Sequence, residues 1–207
     1  QACGAVQVAG GLSGACEAAA RAIQRMWEDP ETEAILLVDA RNAFNMMARA
    51  RALRTARERC PQISVALHNF YGAETALHLG DGLSIRSREG TPQGCPLGMA
   101  MFAISTRPLI DASTVRESRR IWYADDSAAG GTVRGLRNWF SRLQDEGEEF
   151  GYEIKLTKTV AIVKPEHLAS FLRAFDGFTD AENGGLRVIC SEISDLNRVS
   201  GPRGRGF

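Results

Sequence analysis

Apolar positions along this chain follow two rhythms, a helical repeat and short continuous runs closed by turn residues. Residues 13–28 carry the first, with Ser13 as a cap, Glu17 in the first turn, and Ala19, Ile23, Met26 and Trp27 on one side. Asp29-Pro30 stops that helix. Ala34–Val38 is a continuous apolar run, the pattern of a strand buried on both faces, and it ends at Asp39. Residues 46–59 and 62–71 predict two helices broken at Pro61. Residues 76–79 and 83–87, split by Gly80-Asp81-Gly82, predict a hairpin. A loop rich in Gly and Pro at 90–96 leads into a helix through Ile110. Residues 118–131 predict a second hairpin, after which Thr132 caps a helix carrying Leu136, Trp139, Phe140 and Leu143. Short strands at 152–154 and 160–163 follow, then a helix opened by Pro165 and closing near Phe175. From residue 176 the pattern fades toward a Gly- and Arg-rich end that predicts a disordered basic tail. Strands alternate with helices while the hairpins demand antiparallel pairing, so the expected class is α+β.

Composition narrows the picture modestly. A chain of 207 residues can bury one good core. Its 25 basic and 25 acidic side chains cancel, so global charge argues neither for nor against a polyanionic partner. The distribution is less even: Arg49, Arg51, Arg54, Arg57 and Arg59 crowd one segment, either as a solvated helix face or as a phosphate-binding one. Five scattered cysteines without C-x-x-C spacing suggest neither a zinc site nor a disulfide framework, which fits an intracellular, reducing compartment in nucleus or cytoplasm. No apolar run approaches the ~20 residues of a membrane span. The chain opens at Gln1 rather than Met, as a piece of something longer would.

The candidate chemistry is acidic. Tyr123-Ala124-Asp125-Asp126 places two adjacent carboxylates at the tip of the second hairpin, after the apolar stretch from Ile121. Alone this is compatible with an ordinary solvated turn. Asp39 closes the buried strand, where it could equally cap a strand end. If the two strands are neighbours, three carboxylates converge and repel unless a divalent cation neutralises them. Few hard oxygen ligands with room for water and phosphate suit Mg²⁺. Gly90-Thr91-Pro92-Gln93-Gly94-Cys95-Pro96-Leu97-Gly98 then leads into a helix, with glycines that let backbone approach a ligand.

Taken together and in this order, these stretches resemble the reverse transcriptase family, most of all enzymes of retrotransposons without long terminal repeats. Asp39-Ala40-Arg41-Asn42-Ala43-Phe44 is similar to the first catalytic motif, Thr91 to Leu97 to the second, and Tyr123 to Asp126 to the third. Gly151-Tyr152, Lys158 and Thr159 resemble the fourth, and the likeness covers about residues 10–165. The resemblance implies an RNA-directed DNA polymerase using two Mg²⁺ ions, or Mn²⁺, with an RNA template, a DNA primer and deoxynucleoside triphosphates as partners. It implies Asp39 and Asp125 as metal ligands with Asp126 in support. Ala40, Asn42 and Ala43 would meet cation and triphosphate through backbone, and Phe44 would exclude a 2′-hydroxyl. Gln93 and Gly94 would shape the nucleotide pocket, Tyr123 would lie against the primer end, and Lys158 would serve the leaving pyrophosphate.

The corresponding architecture is a polymerase palm, an antiparallel sheet packed on helices, with partial fingers and no evident thumb. Residues 1–32 would be a fingers remnant and leading helix, 33–47 and 94–165 the palm, 48–93 a fingers insertion, and 166–207 a helix and tail. The segment 7–20 resembles a fingers motif only loosely, without the usual arginine beside its glycine. A fragment of this kind would be weakly active, because positioning supplies roughly 7–11 kcal/mol of such a barrier. The rival expectations are an inactive relic that keeps the fold and nucleic-acid binding, and an RNA-templated RNA polymerase, against which Phe44 argues.

Overall fold

The computed structural model describes residues 6–9, 13–92, 94–180 and 184–191. One five-stranded sheet organises the chain, built from β1 (Ala34–Val38), β4 (Ser118–Tyr123), β5 (Asp126–Gly131), β6 (Val160–Val163) and β7 (Arg187–Cys190). The strand order is β4-β5-β1-β6-β7, antiparallel except for the parallel pair β6–β7. The expected α+β class holds. β1 sits at the centre because its uninterrupted apolar run can be buried on both faces.

Side-chain alternation along β1 divides the core. Ile35, with partly buried Leu37, packs with Met26 and Trp27 of α1 (Ala15–Glu28). Leu36 and Val38 face the larger core, which contains Leu136, Trp139, Phe140 and Leu143 of α7 (Val133–Phe150) and Met101 and Phe102 of α5 (Gly98–Ser105). Thr132 caps α7 as expected, its hydroxyl accepting from the Gly135 amide at 3.1 Å. The helix ends at Gly151, whose φ of 70° is left-handed. A Cβ there would collide with the Met46 carbonyl oxygen.

Several boundaries differ from the sequence expectation for identifiable reasons. Ser13 does not cap α1: Gly14, at φ 67°, precedes it without a side-chain cap. The expected helix 46–59 separates into α2 (Ala43–Met46) and α3 (Arg49–Arg59), because Met47 turns out of helical geometry. α4 (Pro61–Tyr71) begins with the proline at its first position. The helix after the Gly- and Pro-rich loop divides at Thr106 into α5 and α6 (Arg107–Ala112), since Pro108 has no N–H for the ladder. Of the strand expected at 152–154, a single bridge between Ile154 and Ala40 forms. Pro165 opens a 3₁₀ turn ahead of α8 (Leu168–Ala174). The fading pattern beyond residue 176 concealed β7, which joins the sheet beside β6; residues 192–207 of the expected tail lie outside the described residues.

The arginine-rich segment also reads differently in three dimensions. Arg49 is buried, 4% exposed, and no solvated face includes it. Its guanidinium donates to the carbonyls of Gly90, Glu89 and Ser87 at 2.9–3.1 Å and lies over the Tyr71 ring. It thereby fastens α3 to the foot of the hairpin formed by β2 (Thr75–His78) and β3 (Ser84–Ser87). Arg51 pairs with Glu149 and Arg59 with Asp111. Arg49 is thus a structural joint, while Arg54 and Arg57 are exposed as a solvated helix face requires.

Candidate active site

The register of two neighbouring strands brings the acidic residues together. In the β1–β5 pair Val38 lies opposite Ser127, and the next positions outward are Asp39 and Asp126. In the β4–β5 pair Tyr123 lies opposite Asp126. Alternation therefore sets Asp39, Tyr123 and Asp126 on one face of the sheet, the face that α1 covers farther along. They line a cleft of about 320 Å³ together with Lys158, Ala19 and Ile23. Lys158 Nζ stands 3.4 Å from Asp39 Oδ2, while the Lys155 amide donates to the Asp39 carbonyl at 2.9 Å.

Electrostatics at this corner are unbalanced. The Asp126 carboxyl is held above the ordinary carboxylate range, first by partial desolvation in the cleft, then by Asp125 and Asp39, with Lys158 opposing. Crowding of negative charge around a carboxylate is relieved by a cation. Among the described residues no three His, Cys, Asp or Glu side chains are gathered as a complete metal cage. Asp125, in the turn, is not among the residues lining the cleft. Two carboxylates on one open face are nonetheless the donor set Mg²⁺ accepts, since it keeps several waters and substrate oxygens.

The turn between β4 and β5 is held from two sides. Ala124 has φ 55°. The buried Tyr152 hydroxyl donates to the Asp125 carbonyl at 3.2 Å and lies 3.3 Å from the Ser127 hydroxyl. Its ring packs on Trp122 with centroids 5.3 Å apart. Burial first, then the nearby aspartates, pushes the Tyr152 phenol up and keeps it a neutral donor, against the Ser127 hydrogen bond. On the other side Gln7 bonds the backbone of Ala124.

The segment after Asp39 forms a shelf beside the cleft. Ala40 and Ala43 are buried, and Asn42 adopts φ 44° at the start of α2. Phe44 is partly buried and stacks on Phe102, with ring centroids 4.4 Å apart. Its carbonyl accepts from the Thr91 amide at 2.8 Å, and the Met47 carbonyl from the Gly90 amide at 2.8 Å. The loop of the second motif is thus seated on the first. Gly94 is exposed at φ 83°, and Gln93 lies outside the described residues. The Tyr71 hydroxyl lies 2.8 Å from Cys95 Sγ, and this bond pulls the Cys95 thiol below its ordinary range.

The sequence model of the reverse transcriptase (RNA-dependent DNA polymerase) family matches residues 10–173. The chain belongs to the reverse transcriptase family. None of the curated proteins compared with it matches. The family match takes in Asp39, the loop from Gly90 to Gly98, the Asp125-Asp126 turn and Lys158. Enzymes of this family generally use divalent metals, in keeping with the acidic corner. Among the described residues no helix is long and apolar enough to cross a membrane.

Three residues of this reverse transcriptase domain have roles that local sequence pattern does not signal. Tyr152 belongs to the fourth motif, but nothing local in the sequence signals that its hydroxyl donates to the Asp125 carbonyl. Arg49 reads in the sequence as one member of a charge run, although it is the first residue of α3. Gln7 is separated from its partner Ala124 by 117 positions, and one sequence carries no trace of such a contact.

Proposed function

We propose that the chain carries the nucleotidyl-transfer centre of an RNA-directed DNA polymerase of the kind found in retrotransposons without long terminal repeats. The observation that carries this reading is the adjacency of Asp39 and Asp126 on paired strands, in a chain of this family. A primer 3′-hydroxyl gives up its proton to solvent and attacks the α-phosphorus of a deoxynucleoside triphosphate, the α–β phosphoanhydride bond breaks, and pyrophosphate leaves. Asp39 and Asp125, with Asp126, would hold two Mg²⁺ ions, which when bound neutralise the attacking and leaving oxygens.

The protein's own groups divide the remaining tasks. Ala40, Asn42 and Ala43 face the triphosphate through backbone. Phe44, braced by Phe102, closes the space a 2′-hydroxyl would need. Gln93 and Gly94 shape the base and sugar side of the pocket. Tyr123, 39% exposed beside Asp126, supports the primer terminus. Lys158 supplies positive charge to the departing pyrophosphate, and its ammonium rests on Asp39 until substrate arrives.

A second reading is an inactive relic that retains the fold and nucleic-acid binding. It is favoured by the Lys158–Asp39 pair, which already neutralises one carboxylate. Primer extension on an RNA template separates the two. The polymerase reading expects deoxynucleotide addition, reduced ~100-fold or more in Asp125→Asn, as for loss of one electrostatic stabiliser. Equal signals from wild type and variant would overturn it.

A further inference from the structure

The turn that presents the acidic pair is closed by an unsuitable residue. Tyr123 pairs with Asp126, leaving Ala124 and Asp125 as a two-residue hairpin loop. Such loops need positive φ at one or both central positions and accordingly favour Gly, Asn or Asp there. Ala124 takes φ 55° with none of those advantages. The other non-glycine residues with positive φ among those described are Asn42 and Asp81, both of tolerant type. Something outside the hairpin must hold Ala124.

Gln7 does so. Its Nε2 donates to the Ala124 carbonyl at 2.9 Å, and its Oε1 accepts from the Ala124 amide at 2.9 Å. Both polar groups of one residue are thus gripped by one side-chain amide, whose donor and acceptor sit on separate atoms of a single planar group. Gln7 is delivered there by flanking backbone: the Val8 amide donates to the Trp122 carbonyl and the Trp122 amide to the Val6 carbonyl, each at 2.9 Å. Gln7 is 3% exposed, so water has little access to replace its bonds.

We propose that Gln7 is a positioning residue whose amide clamps Ala124 in the left-handed conformation on which the placement of Asp125 and Asp126 depends. This deepens, and rests on, the reading of the acidic corner as a cation site. The clamp makes the segment ahead of α1 part of the catalytic apparatus without its touching substrate. Tyr152 completes the grip from the opposite side, on the Asp125 carbonyl.

The test compares wild type with Gln7→Leu, which keeps the bulk and loses both hydrogen bonds. Two quantities are read: Mn²⁺ affinity by electron paramagnetic resonance, and hydrogen exchange of the Ala124 amide. Gln7→Leu is expected to weaken Mn²⁺ and to speed that exchange about tenfold each, the scale of a buried hydrogen bond left unmade. Ala124→Gly in the same background supplies positive φ without a clamp and is expected to recover most of the affinity. Phe171→Leu, in the core of α8 far along the chain, is expected to lower Tm without changing Mn²⁺ affinity. Unchanged Mn²⁺ affinity in Gln7→Leu would overturn the clamp. So would a loss that Phe171→Leu reproduces or that Ala124→Gly leaves unrepaired. Absence of Mn²⁺ binding by the wild type would instead overturn the cation-site reading, and the positioning role with it.

Discussion

Lys158 Nζ stands 3.4 Å from Asp39 Oδ2, joining positions 119 residues apart at the edge of the acidic cleft. Side-chain exposures of 58% and 27% leave the pair open to water, so it contributes at most about 1 kcal/mol to stability. Its consequence is competitive, because an ammonium and a divalent cation seek the same oxygen. Lys158→Met is therefore expected to tighten Mn²⁺ binding by up to about fivefold with little change in Tm. Deoxynucleotide addition should slow in the same variant. Calorimetric titration checks the first effect, and weaker binding would contradict the competition.

Asp126 gives the corner a pH signature. Its raised pKa means that the folded state holds the proton more tightly than the unfolded chain does. The associated stability is complete below the ordinary Asp value of about 4 and is lost as pH rises through the folded-state value. Asp126→Asn removes that loss. Its Tm should exceed that of wild type at pH 7, and the gap should close at pH 4. Mn²⁺ should narrow the gap at pH 7 by stabilising the wild type. A gap of equal size at both pH values would contradict the assignment.

Arg49 joins α3 to the hairpin and to the loop of the second motif. A lysine keeps the charge but cannot reach several carbonyls with one planar fork. Arg49→Lys is expected to cost about 2–3 kcal/mol, a fall in Tm of roughly 5–10 °C for a chain of this size. Limited proteolysis should then cut more readily within residues 73–90. Melting and cleavage patterns indistinguishable from wild type would show that the fork is dispensable.

Two glycines of left-handed conformation separate strain from collision. At Gly14, φ 67°, an added Cβ meets nothing within 4 Å. At Gly151, φ 70°, it runs into the backbone at Met46. Gly14→Ala should cost about 1 kcal/mol, the left-handed penalty alone. Gly151→Ala should cost several times more and displace the segment carrying Asn42 to Met47. Urea denaturation of the two variants measures the difference; equal costs would mean the turn at 151 yields freely.

The parts of the fold that rest on local pattern were legible in the sequence. The apolar run at 34–38, the hairpin at 118–131 and the Thr132 cap all announce themselves within a few residues. β7 did not, because a four-residue strand with mostly exposed side chains is decided by the open edge of β6 rather than by its own pattern. Ser13 was a reasonable cap on residue preference, but the chain enters α1 through the left-handed Gly14. Of the candidate site, the sequence nominates Asp39 and Asp125 with Asp126 in support, whereas pairing of β1 with β5 makes Asp126 the direct neighbour of Asp39. The grips of Gln7 and Tyr152 on the turn, and of Arg49 on the hairpin, depend on contacts between distant segments.

The central claim is that Asp39 and the Asp125-Asp126 turn form one shared site for divalent cations. Paramagnetic broadening of backbone amide signals by Mn²⁺ tests it most directly. The account predicts selective broadening at residues 38–40 and 124–127, abolished in Asp39→Asn, with β7 unaffected. Broadening centred elsewhere, or a pattern that Asp39→Asn leaves intact, would contradict it.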